Sequence, residues 1–166
     1  MNKVLMAMAL SAAFVAIPAS AAPASAAPYG YIGAGIGEAK TDSDNTSYKI
    51  FAGIQPTPNF GAELAYNDFG GYRGQTADSW SLAGTGKLPL DKNWDIFGKL
   101  GATRNHIKFG GSSDHTDLLA GVGIGYNFTP NVGVRLEYED FGKLPADVDG
   151  NKTKVTNWGL NAKFSF

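Results

Sequence analysis

The chain has 166 residues, a formal charge of −1 and no cysteine, with 22 glycines, 12% aromatic and only 17% charged residues. That length fits one domain. The charge balance offers nothing to nucleic acid or to an anionic membrane surface. The missing thiols exclude disulfides, thiolate metal sites and thiol catalysis. Few charges among many glycines and aromatics are unlike a typical soluble enzyme.

In chain order, the first element is an address. Lys3 supplies a positive start, Val4 to Ile17 is an apolar run of signal-peptide length, and Pro18 precedes an Ala19-Ser20-Ala21 cleavage pattern. The expected cut follows Ala21, with Ala24-Ser25-Ala26 as an alternative, so residues 1–21 are the signal and 22–166 the mature domain. The apolar run is shorter than the roughly 20 residues of a membrane-spanning helix. Export from the cytoplasm is the expectation.

Beyond it, period-two alternation replaces any helical period, which argues strands. Eight runs stand out, near 29–39, 47–55, 59–69, 77–88, 93–104, 115–127, 131–141 and 153–166. Their connections alternate. PTPN at Pro56, PLDK at Pro89 and FTPN at Phe128 read as tight turns, whereas KTDSDNTS, GYRGQT, KFGGSSD and GKLPADVDGNK read as longer polar loops. Short turns at one end and longer loops at the other is the threading of an outer-membrane barrel, with both termini on the periplasmic side.

Alternation also suits a soluble up-and-down barrel with an apolar interior. Two features select lipid outside instead. The less apolar face is rich in glycine, including Gly33, Gly35, Gly53, Gly123 and Gly125; small residues have a purpose inside a narrow eight-stranded bore and none on a solvated exterior. The other face carries two aromatic bands. Phe60, Trp94, Tyr126 and Phe166 fall by the short turns, and Tyr48, Tyr66, Trp80, Tyr138 and Trp158 fall toward the loops, with aliphatic residues between. Amphipathic rings settle at lipid headgroups. In hydrocarbon no sheet edge can stay open, so the first strand must meet the eighth. The expected fold is all-β: an eight-stranded antiparallel up-and-down transmembrane barrel.

YIGAGIG at Tyr31, FGAELAYNDFG at Phe60, WDIFGKLGA at Trp94 and FTPNVGVRLEYEDFG at Phe128 resemble the OmpA-type family of small outer-membrane barrels. The resemblance covers nearly all of the mature chain. The end, NWGLNAKFSF, is similar to the signal read by the outer-membrane assembly machinery through a terminal aromatic, here Phe166. The chain stops before the periplasmic peptidoglycan-binding domain of larger members, so cell-wall tethering is not implied.

Parity sends Lys49, Glu63, Lys87, Asp95, Lys99, Asp117, Arg135, Glu137, Glu139 and Lys163 inward, five basic and five acidic. One internal repeat organises them. TPNFGAELAYNDFG (Thr57 to Gly70) and TPNVGVRLEYEDFG (Thr129 to Gly142) match at nine of fourteen positions, with Glu63 facing Arg135 in the alignment. As third and seventh of eight strands they stand on opposite walls, and both residues are equally far from their turns. A direct cross-lumen pair is expected, and exchanging the two residues should preserve it. The resemblance implies the same central pair and adds Lys87 and Lys99 to the network; Glu137 is assigned to it as well. The family's gating acid falls on Gly125, which puts a switchable gate in doubt.

Three functions are weighed. The first is a structural envelope protein with a plugged, charge-paired lumen. The second is a narrow porin-like channel, and the third a lipid-modifying enzyme using Ser113, His115 and nearby aspartates. Sequence neighbours on a strand point to opposite faces, which argues against that third site, and the reading is non-enzymatic. DVDGN at Asp147 and DSDN at Asp42 lack full calcium-loop spacing, so no cofactor or metal is expected. The expected partners are outer-membrane lipids, lipopolysaccharide and the assembly machinery, with no nucleic acid, for a monomer in a Gram-negative outer membrane.

Overall fold

The computed structural model describes residues 28–40, 44–72, 75–108, 112–145 and 152–166, with side chains over 28–40, 45–70, 78–105, 116–142 and 155–166. The signal segment, the DVDGN motif and part of DSDN lie outside the described residues.

Eight strands close a barrel in sequence order: β1 (Tyr29–Lys40), β2 (Asp44–Gln55), β3 (Phe60–Tyr72), β4 (Gln75–Pro89), β5 (Trp94–Lys108), β6 (Ser112–Asn127), β7 (Val132–Pro145) and β8 (Lys152–Ser165). All neighbours are antiparallel, and β1 meets β8 from Tyr31↔Ser165 to Lys40↔Thr156. Reciprocal backbone bonds between Gly30 and Phe166, each 2.9 Å, pin the last residue to the first strand. The sheet therefore has no free edge, as hydrocarbon requires.

The short turns are built the same way in both repeat copies. The Thr57 hydroxyl accepts the Phe60 N–H at 2.9 Å, and the Thr129 hydroxyl accepts the Val132 N–H at 3.0 Å. The asparagine that follows each proline staples the next wall: Asn59 Nδ2 donates to the Lys87 carbonyl at 3.0 Å and Asn131 Nδ2 to that of Ser165 at 2.7 Å. The third turn uses Asp91, whose Oδ1 accepts the N–H groups of Asn93 and Trp94 at 2.7 and 2.9 Å. These bonds to the charged form hold the Asp91 carboxyl below its ordinary pKa.

The described parts of the predicted long loops are strand. Gly71↔Thr76 and Tyr72↔Gln75 pair inside GYRGQT, and Pro145↔Lys152 pairs inside GKLPADVDGNK, with Leu144↔Thr153 and Lys143↔Lys154 continuing that ladder below it. Above the lipid both faces of a hairpin meet water, so its backbone ladder continues after its apolar alternation has ended. The polar residues of these paired stretches look like loop and are not.

Both repeat copies end in a β-bulge. The register shifts between Asp68 and Gly71 on β3 and between Asp140 and Lys143 on β7. Each bulge has its glycine at positive φ, 74° at Gly70 and 78° at Gly142, a region open mainly to glycine. Each aspartate accepts its glycine N–H, at 2.8 Å for Asp68 and 3.0 Å for Asp140. Gly142→Ala meets both that φ and the Asp117 Cβ, 2.9 Å from the added carbon. A loss of about 1–2 kcal/mol is expected, read as a lowered urea midpoint of the folded protein in detergent.

The outer face is aliphatic at mid-height, with Leu64, Leu82, Leu100, Leu118, Val122, Leu136 and Leu160 exposed. Cross-strand ring pairs mark its two ends: Tyr66–Trp80 and Tyr138–Trp158 at 5.1 and 4.8 Å toward the loops, and Trp94–Tyr126 at 4.7 Å by the turns. Phe60 and Phe166 are exposed beside the turns, and Tyr48 is half-exposed on the loop side. Phe128, which the sequence reading passed over, extends the turn-side band by meeting Tyr126 edge-to-face at 5.1 Å.

Candidate functional site

The distinctive chemistry is inside the bore, which is filled in layers. Inward glycines make the room. A Cβ at Gly33 would strike the Phe51 ring, one at Gly53 the Tyr31 ring, and one at Gly123 the Phe97 ring. Gly125 is the floor beneath Asp95, whose Oδ1 would stand 2.5 Å from an added Cβ. Each of these side chains therefore lies over the glycine paired with it on the adjacent strand, in space that a larger residue would fill.

At mid-bore, Glu63 and Arg135 meet directly. Glu63 Oε2 accepts from Arg135 Nη2 at 2.7 Å and Nη1 at 3.0 Å, and also from the Tyr31 hydroxyl at 3.1 Å. The pair is the centre of a six-member cluster. Lys99 Nζ bonds Glu63 Oε1 at 2.8 Å, Glu137 Oε2 at 2.7 Å and Glu139 Oε1 at 3.0 Å. Lys49 Nζ bonds Glu137 Oε2 and Glu139 Oε1, each at 2.7 Å. Arg135 Nε stands 2.9 Å from Glu137 Oε1, an ion-pair contact without hydrogen-bond alignment. Three cations thus face three carboxylates, all of them buried.

The guanidinium has a second hold. Its Cζ lies 4.7 Å from the Phe51 ring centroid and 4.5 Å from that of Phe97. A flat, weakly hydrated cation stacks on such faces where an ammonium would not fit as well.

Two expectations about membership change. Lys87 stands apart: half-buried near the turns, it donates to the Tyr29 hydroxyl at 2.8 Å. Lys49 and Glu139, inward by parity but left out of the predicted network, are full members. Parity gives the face and not the height, and strand tilt sets the height. Lys87, two residues from the turn-bearing Pro89, had that signal in plain view. Lys99→Met is therefore expected to destabilise by about 3–5 kcal/mol, by stranding buried carboxylates. Lys87→Met should cost about 1 kcal/mol, the worth of one hydrogen bond. Parallel urea titrations of the two variants check the ranking.

On the loop side of the charges comes a hydroxyl and amide layer, with Ser47 bonded to Asn157 at 2.6 Å and Ser79 to Thr103 at 2.5 Å. An apolar layer joins Phe69, Phe141, Leu119, Val155, Ala39 and Ala83. Here the two bulges act together, because Phe69 and Phe141 meet edge-to-face with ring centroids 5.0 Å apart. Sequence reasoning missed this pair. Its signal was an aromatic residue at inward parity immediately before the repeated bulge glycine.

For the enzyme alternative, Ser113, His115 and Asp117 occupy alternate positions of β6, so the argument from neighbouring residues does not separate them. The side chains of Ser113 and His115 lie outside the described residues.

A closed eight-stranded barrel, lipid-compatible outside and charge-filled within, narrows the family, and the model of the outer membrane protein beta-barrel domain matches residues 8–166. The chain belongs to that family. Among solved structures the barrel is similar to Ail, the attachment invasion locus protein of Yersinia pestis, at 19% identity and TM-score 0.55, covering 83% of this chain and 97% of that one. It is similar to Neisserial surface protein A at 18% identity and TM-score 0.59, covering 83% and 96%. It is also similar to the outer membrane protein OprG of Pseudomonas aeruginosa at 14% identity and TM-score 0.60, covering 84% and 96%. These likenesses establish the fold. No curated protein sequence matches the chain.

Proposed function

We propose that this outer-membrane barrel is a structural, non-enzymatic protein of the Gram-negative envelope, whose bore is closed rather than conducting. One observation carries the reading. The lumen is filled across its width by the buried Glu63–Arg135 cluster and, toward the loops, by the Phe69–Phe141 layer. Opening it would mean separating paired buried charges, which is costly in a poorly hydrated bore.

In this reading the protein is exported with cleavage after Ala21 or Ala26 and acts as a monomer. Its aromatic bands contact lipids and lipopolysaccharide, and the assembly machinery recognises the strand ending at Phe166, an exposed ring on a pinned backbone. Fractionation should find the protein in the outer membrane with heat-modifiable gel mobility. Deleting it in the native host should raise sensitivity to detergents and to large apolar antibiotics, reversibly on complementation. Unchanged sensitivity with slower uptake of small solutes would favour the narrow channel instead.

A further inference from the structure

At the short-turn end the bore contains a cavity of about 20 Å³, lined in part by Lys87, Lys163, Asp95, Arg135, Gln55 and Thr85. That is room for roughly one water-sized guest. Lys87, Asp95 and Lys163 also line the open mouth between the turns, so the cavity has a way in from that side.

Its charge does not balance. The mid-bore cluster uses up Arg135 against its carboxylates. What remains at the cavity is two ammonium groups, Lys87 and Lys163, against the single carboxylate of Asp95. Asp95 spends Oδ2 on Asn127 Nδ2 at 3.0 Å, and Lys87 spends one proton on Tyr29 at 2.8 Å. Lys163 is only 7% exposed, and its ammonium makes no hydrogen bond or ion pair among the described residues. Gln55 Nε2 and Thr85 Oγ1 are buried without a partner. A charge held away from water with only part of a counter-charge is costly, and so is a buried donor with no acceptor. Most of the unpaired atoms are donors. A water could donate to the Thr85 hydroxyl or to Asp95 Oδ1, but it would leave the excess positive charge of two ammonium groups over one carboxylate in place, whereas an anion balances that charge and accepts from the donors.

We infer that this vestibule binds one small monovalent anion of halide size, held by Lys163 with Thr85 and Gln55 and entering from the short-turn side. The mid-bore cluster is neutral by itself and does not take part.

Bromide is the probe. Crystals of the folded protein grown in sodium bromide should show an anomalous peak beside Lys163 Nζ. At fixed ionic strength, replacing gluconate by bromide should raise the urea midpoint of the wild type. Lys163→Met should abolish that response while raising the midpoint in gluconate, because it removes an uncompensated charge. Thr85→Val, which removes one hydrogen bond to the anion, should weaken the bromide dependence about tenfold; it decides the matter if the Lys163 variant does not fold. A vestibule without an anomalous peak, or a bromide response that is the same in wild type and variants, overturns the inference.

Discussion

Glu63→Gln is expected to lower the stability of the barrel by about 3–5 kcal/mol, the range for leaving a buried charge without its partner. The side chain is 3% exposed and takes three bonds from cations and one from the Tyr31 hydroxyl. Glutamine keeps the shape and removes the charge. Arg135 then keeps only the misaligned contact to Glu137 as a counter-charge, and the cluster carries an excess positive charge among buried groups. Urea titration of the refolded protein in detergent, followed by its heat-modifiable gel band, measures the loss.

The cluster also changes what charge exchange should do. For an isolated pair, Glu63→Arg with Arg135→Glu would restore the bond. Here the exchange sets a new cation against Lys99 and a new carboxylate against Glu137, and it removes the guanidinium from between Phe51 and Phe97. Little recovery is expected. A double variant close to wild-type stability would mean that the pair acts independently of its neighbours.

Phe69→Ala and Phe141→Ala are each expected to cost about 3–5 kcal/mol, as large aromatic truncations in packed interiors do. Phe141 is 0% exposed and Phe69 3%. Their edge-to-face contact should appear as a coupling of about 0.5–1.5 kcal/mol in the double-mutant cycle. The same truncations at exposed Phe60 should be much milder, since that ring fills no interior space. Equal losses at Phe60 and Phe141 would deny the apolar layer its role.

The repeat shows how much of this was legible. Its shared residues form the frame: Thr57 and Thr129 cap turns, Asn59 and Asn131 staple neighbouring strands, and Gly70 and Gly142 sit in bulges. Alternation located the eight strands and assigned their residues in turn to lipid or lumen, because two solvents of opposite character leave a period-two record. The Glu63–Arg135 contact followed from parity and equal distance from the turns. Strand ends were not legible where water wets both faces. Lys49 and Lys87 were not sorted correctly: parity gives the face and not the height, and the resemblance placed in the network a lysine that stands near the mouth. The bulges stayed hidden because an Asp-Phe-Gly run reads equally well as the start of a loop.

Closure of the bore is the claim on which the account depends, and planar-bilayer recording of the refolded wild-type protein tests it most directly. The filled lumen predicts a quiet membrane, with no sustained nanosiemens-scale openings. Sustained openings of that size from correctly folded, heat-modifiable protein would contradict it.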